Sequence, residues 1–176
     1  MKNLITLLTI FLWLGLASAQ DKKPTKEETI EFLTNTLNQL NYDQGSKNGV
    51  IDKGIVKLVK FSDCKLYIEY YTRTNWKPLA PTNIEIYEKI TIPIDKIEKI
   101  NNDFSNTLNF HSYNNSDVIV LDKMYKDIEK NTIENKSSLQ KTYSFIYENE
   151  DVLKKLIKAF NHLRKLCGAP EPISFD

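Results

Sequence analysis

An α+β domain is the fold class this sequence predicts, with a helix at each end of a run of about six antiparallel strands. Three observations predict it. Residues 25–41 and 150–167 carry apolar residues at spacings of three and four, the period of a helix with one buried stripe. Between them, residues 65–73 and 84–94 alternate with a period of two, the pattern of half-buried strands. Helices kept to the two ends exclude an alternating α/β arrangement. The sheet is expected to be strongly bent, or a partly open barrel, with the last helix laid against its open end.

In chain order, the first segment does not belong to the domain. Lys2 precedes an apolar run from Leu4 to Leu16, and Ala17-Ser18-Ala19 then gives way to Gln20-Asp21-Lys22. A positive start, a short apolar run and a small-x-small site make a secretory signal. The run is too short for a spanning helix, which needs about 20 apolar residues. A signal over 1–19, cleaved between Ala19 and Gln20, is therefore expected, then a short linker over 20–24 and one domain over 25–176. The absence of a cysteine beside the cleavage site argues against a lipid anchor. The product is expected to be soluble, in the periplasm or outside the cell.

Thr25 with Glu28 forms a capping box, and Ile30, Leu33, Leu37 and Leu40 supply the stripe of the first helix. The turn-rich stretch 41–49 ends it. Gly54 to Phe61 reads as a strand, joined by Ser62-Asp63-Cys64 to a second. That second strand sets Leu66, Ile68, Tyr70 and Thr72 on one face and Lys65, Tyr67, Glu69 and Arg73 on the other. Trp76 to Asn83 holds Pro78 and Pro81 and is expected to be a loop, because proline lacks the amide proton a ladder needs. Ile84 to Ile94 alternates again. Leu108–Tyr113 and Val118–Leu121 predict a hairpin across Asn114-Asn115-Ser116-Asp117. Residues 126–140 are polar and unpatterned, and predict a long mobile loop; Thr142–Tyr147 predicts the last strand. The final helix places Leu153, Leu156, Ile157, Phe160, Leu163 and Cys167 on one stripe. Acids start it and Arg164 and Lys165 end it, as the helix dipole favours; Gly168 and Pro170 stop it.

This element order matches a pleckstrin-homology-like architecture, an analogy of order that implies nothing about function. Three segments also resemble secreted proteins of Bacteroidetes: Thr25-Lys26-Glu27-Glu28-Thr29-Ile30, Phe61-Ser62-Asp63-Cys64-Lys65-Leu66, and the ending from Ala159 to Ala169. The Lys-, Asn- and Ile-rich composition agrees with such a source. The resemblance implies export and brings no catalytic residue with it.

Charge narrows the partners. The chain has 24 Lys and Arg against 23 Asp and Glu, and loss of Lys2 with the signal leaves a neutral mature chain. Nucleic-acid binding, which rests on many phosphate contacts, is not expected. Cys64 and Cys167 are the two cysteines. In an oxidising compartment they could form a bridge closing about 100 residues, or remain two buried thiols; spacing alone does not decide.

The search for chemistry returns little. His111 and His162 are the two histidines, and neither sits in a zinc-ligand spacing. His162 falls on a polar helix face beside Arg164 and Lys165. No nucleophile elbow, phosphate loop or dinucleotide fingerprint occurs, and 43–49 carries too few acids for a calcium loop. Glu69 and Glu85 fall on outward strand positions, so a paired-carboxylate site is not expected. No cofactor or metal is implied.

Tyrosine is the enriched residue type. Tyr67, Tyr71 and Tyr87, with Trp76 in the proline-bounded loop, are the candidate ligand-binding residues, since large aromatic side chains dominate binding surfaces; packing on strands is the competing role. The expected function is a non-enzymatic exported binding module for a protein, a peptide or a small apolar ligand. A hydrolase-like enzyme using carboxylates and tyrosines is one alternative, marked by a pocket where His111 and acids converge. A second is a peripheral membrane-surface protein using the basic last helix, although membrane contact is not the expected mode.

Overall fold

The computed structural model describes residues 23–39, 41–43, 53–76, 82–102, 107–147 and 149–171. The expected export signal, its Ala19–Gln20 site and residues 44–49 of the expected turn lie outside the described residues, while Asn41–Asp43 of that stretch form a short strand instead. The domain is α+β, with a helix at each end and two antiparallel sheets between them.

Helix α1 spans Lys26–Asn38. Its capping box is formed: the Glu28 amide donates to Thr25 Oγ1 at 3.2 Å, and the Thr25 amide donates to Glu28 Oε2 at 2.7 Å. Two otherwise orphaned donors are thereby satisfied. Thr29, Leu33 and Leu37 turn inward.

The larger sheet runs in the order β1-β2-β3-β4-β7-β8. Its members are β1 (Asn41–Asp43), β2 (Lys53–Ser62), β3 (Lys65–Trp76), β4 (Thr82–Pro93), β7 (Ile119–Asp127) and β8 (Thr132–Gln140). The smaller sheet holds β5 (Ile97–Asn101), β6 (Thr107–Ser112) and β9 (Thr142–Ile146), with β6 in the middle. Helix α2 spans Glu150–Leu166.

Turn chemistry sets the register of the first hairpin. Asp63 and Cys64 both take positive φ, 50° and 57°. A two-residue turn of that kind twists the way paired strands twist. The Ile94 amide donates to the Cys64 carbonyl at 2.8 Å, tying the turn to the end of β4.

Several expectations are corrected. Among the described residues, nine strands replace about six, and they form two sheets rather than one bent sheet or a partly open barrel. Residues 126–140 are not a loop but the end of β7 and all of β8, paired without a register break from Ile119↔Gln140 to Asp127↔Thr132. Every side chain of β8 from Thr132 to Leu139 is exposed. A strand that buries neither face has no reason to alternate apolar and polar residues. β5 was missed for a related reason: a bulge between Ile97 and Lys99 breaks its period.

β6 and β7 are not a hairpin. β6 pairs with β5 and β9, and β7 with β4 and β8. The turn residues do turn the chain, with Asn114 and Asn115 at φ of 52° and 53°, but they carry it from the small sheet to the large one. A second crossing lies beside the first, where Lys141 alone separates β8 from β9. The Ser112 amide donates to the Lys141 carbonyl and the Val118 amide to that of Gln140. Strands that switch sheets in this way make the corners of packed sheets. The expected loop at 76–83 is shorter than proposed, since β3 runs to Trp76 and pairs it with Thr82.

The inner face of the large sheet carries Leu66, Ile68, Tyr70, Ile90 and Ile92, all buried. Tyr70 meets Phe145 of β9 and Phe61 meets Phe160 of α2, with ring centroids 6.0 and 6.3 Å apart. Phe110 stands edge-on to both Phe145 and Phe160, an arrangement that adds about 0.5–1.5 kcal/mol per pair beyond the area buried. The core therefore lies between the two sheets and α2.

Helix α2 starts at Asn149, whose Oδ1 accepts from the Asp151 and Val152 amides. It ends as expected. Gly168 has φ of 75°, its amide donates to the Lys165 carbonyl, and the Ala169 amide donates to that of Arg164, the pair of bonds of a Schellman cap. Arg164 itself is not a solvated dipole partner: it is 3% exposed. Its Nε donates to the Ile97 carbonyl at 2.6 Å, and its Nη2 to the Pro170 carbonyl and to the Tyr113 hydroxyl. Asn161, one turn earlier, donates to the Ile100 carbonyl at 3.0 Å. Both acceptors belong to β5, so two side chains of α2 cover an edge of the small sheet that would otherwise invite pairing.

Cys64 and Cys167 are joined, with Cα atoms 5.8 Å apart. The bond ties the first hairpin turn to the C-terminal end of α2. Lys26 Nζ lies 3.0 Å from Cys64 Sγ. His162, expected on a solvated face, is half-buried and its Nε2 sits 2.7 Å from the Pro24 carbonyl. A carbonyl only accepts, so Nε2 carries the proton there. Bond and histidine together hold α1, α2 and the β2–β3 turn at one end of the domain.

Candidate functional site

The two faces of the large sheet have different fates. α2 and the small sheet occupy the inner side. The outer face stays open around Ile55 and Leu58, which are 49% and 42% exposed.

Strand register decides what that face displays. Ile55, Tyr71, Tyr87 and Met124 lie opposite one another across β2, β3, β4 and β7, forming one transverse row. The Tyr71 and Tyr87 rings meet with centroids 4.9 Å apart at 53°. Charged groups border the pair. Tyr71 Oη donates to Glu85 Oε1 at 3.0 Å, and Lys126 Nζ lies 3.4 Å from Glu85 Oε2. Lys57 Nζ stands 5.5 Å from the centre of the Tyr71 ring, within cation–π range. Hydrogen bonding thus fixes Tyr71 in place while part of its ring remains accessible.

The candidate residues separate on this geometry. Tyr71 and Tyr87 are brought together. Tyr67 shares their face but lies about 13 Å along β3 from Tyr71 at strand spacing. Between them sit Glu69 and Lys89, paired at 3.1 Å. Trp76 closes β3, and its side chain lies outside the described residues. Ile55, Lys57 and Met124 were not singled out in the sequence, since only register shows that they border Tyr71 and Tyr87.

The carboxylates of these strands do not converge. Glu69 and Glu85 are outward, as expected, and four strand positions apart in register, each held by a lysine. Glu88 points the other way: it is 6% exposed on the inner face and bonded to Lys123 Nζ at 2.6 Å. His111, on the small sheet, has Nε2 3.2 Å from Asn101 Oδ1. Among the described residues, no group of three or more His, Cys, Asp or Glu gathers as metal ligands would.

No family model, curated protein or solved structure matches this chain. What the site can do therefore rests on its own chemistry. An aromatic pair with an apolar border and fixed charges can hold a ligand by contact and hydrogen bonding.

The last helix turns its apolar stripe to the core and keeps exposed cations on its other side. Leu153, Leu156, Phe160 and Leu163 of its apolar stripe are buried in the core. Of its five cations, Arg164 is buried, Lys154 is paired with Glu150, Lys165 is paired with Glu171, and Lys155 and Lys158 are exposed. Among the described residues, no helix is long and apolar enough to cross a membrane.

Proposed function

We propose that the protein is an exported, non-enzymatic binding module whose ligand lies on the outer face of the large sheet, over Tyr71 and Tyr87. The observation that carries this reading is the Tyr71–Tyr87 contact on the face turned away from the core. A pair of tyrosines bordered by Ile55 and Met124 offers rigid apolar area at low entropic cost. Glu85, Lys57 and Lys126 at its border supply orientation. A sheet face buries less of a small molecule than a concave pocket does, so a protein or peptide surface suits it better. Export is supported by the leader-like residues 1–19 and by the Cys64–Cys167 bond, which suits an oxidising compartment. A pleckstrin-homology-like relation, read from element order, belongs to the same proposal.

The test uses the exported protein as bait against envelope extract and culture medium, beside the double variant Tyr71→Ser/Tyr87→Ser. The expected outcome is a partner held by the natural protein and lost by the variant, with the thermal midpoint of the two within a few degrees. Equal retention by both proteins would remove the outer face as the site.

A further inference from the structure

We propose that two copies of this chain join along β8, antiparallel about Lys136, into one continuous sheet. Among the described residues β8 pairs with β7 alone and ends the large sheet. Natural sheets protect such edges with prolines, bulges, short strands or cover. β8 has nine residues, no proline and an unbroken register with β7, and its side chains from Thr132 to Leu139 are exposed on both faces. Its one protective device is Lys136.

The residues of β8 select the partner. Ile133 and Leu139 are 60% and 57% exposed, they share the outer face, and each stands three positions from Lys136. In an antiparallel pairing centred on Lys136, Ile133 of each copy faces Leu139 of the other. Both exposed apolar side chains of each copy are then covered, in two contacts related by symmetry. Shifting the register by two residues in either direction puts polar or charged residues opposite them instead. Only even shifts keep the outer faces of both copies on one side.

At the centre the two Lys136 side chains stand opposite one another, an unfavourable contact that the neighbouring glutamates offset. Lys136 Nζ lies 3.0 Å from Glu134 Oε1 on its own strand and 5.2 Å from the centre of the Tyr125 ring. Across the join, each Lys136 also lies diagonal to Glu134 of the other copy, a position within reach of long side chains. Two lysines and two glutamates meet there with no net charge. A generic extended peptide would need none of this symmetry, which favours a second copy. The inference does not rest on the binding role of Tyr71 and Tyr87.

The experiment is sedimentation equilibrium on the exported protein over a wide concentration range, with variants on β8. The natural protein is expected to show a dimer. Ile133→Lys should weaken it by roughly tenfold or more, since it faces two symmetry-related apolar contacts with charge. Adding Leu139→Glu to Ile133→Lys should restore it, because opposite charges then meet across the join. Lys136→Cys should cross-link two copies on mild oxidation. Thr132→Cys should not, because its two copies lie about 26 Å apart at strand spacing. All these positions are exposed, so thermal midpoints report whether each variant folds. A monomer at every concentration, a dimer indifferent to Ile133→Lys, or equal cross-linking through Thr132→Cys would overturn the proposal.

Discussion

Arg164 of the last helix reaches the carbonyl of Ile97, 67 positions earlier in the chain, through Nε at 2.6 Å. The same guanidinium holds the Pro170 carbonyl beyond the helix and the hydroxyl of Tyr113, which itself donates to Pro170. Its protein partners here are neutral oxygens, so the cation is stabilised by hydrogen bonding from several directions. One side chain thus joins the strand edge, the inter-sheet turn and the segment after α2.

Arg164→Met should lower unfolding free energy by roughly 2–4 kcal/mol, because it leaves the buried Ile97 carbonyl without its donor and removes the bonds to Pro170 and Tyr113. Arg164→Lys should recover only part of that, since an ammonium lacks the planar fork that reaches three acceptors. Urea titration checks both. A methionine variant as stable as the natural protein would show that the contacts are incidental.

The Cys64–Cys167 bond spans 103 positions. In the chain-entropy account a loop of that size contributes up to about 4–5 kcal/mol. The double variant Cys64→Ser/Cys167→Ser should therefore unfold at much lower urea, and the natural protein should show no free thiol when denatured without reductant. Two titratable thiols would contradict the bond.

The β7–β8 hairpin should respond to acid. Asp127 Oδ1 accepts from the amides of Lys130 and Glu129, both at 3.0 Å. The Lys130 amide is the main reason its carboxyl titrates below the usual value of 3.8. A lowered folded value means that this support is fully present above the ordinary carboxyl range and is lost as pH falls through the lowered one. Hydrogen exchange at Glu129 and Lys130 should accelerate on acidification, after correction for intrinsic rates. Asp127→Asn keeps an acceptor oxygen and should flatten that dependence. If acid leaves the protection unchanged in the natural protein, the turn does not depend on the carboxylate.

Local signals were the legible ones. Thr25 with Glu28, and Gly168 followed by Pro170, mark helix ends through bonds made within a few residues, so sequence alone locates them. Strands with one buried face, such as β3 and β4, announce themselves by period. β8 could not, because it buries neither face. The partition into two sheets was hidden as well: the same Asn and Ser residues that turn a hairpin also carry the chain between sheets. Arg164 was misread because a cation at a helix C-terminus already has an electrostatic explanation there, and its distant acceptor Ile97 is visible only after folding. At the candidate site, the outward side of Glu69 and Glu85 was readable. The meeting of Tyr71 with Tyr87 needed the register of two strands.

The bond between Cys64 and Cys167 also carries information about order in time. Cys64 is synthesised 103 residues ahead of its partner, and every strand from β3 to β9, with α2, lies between them. The pair can close only after all of that chain has been made. An oxidised molecule is therefore one whose chain has been made as far as Cys167. The bond thus distinguishes a full-length chain from one truncated before Cys167, which has no second thiol to close it with.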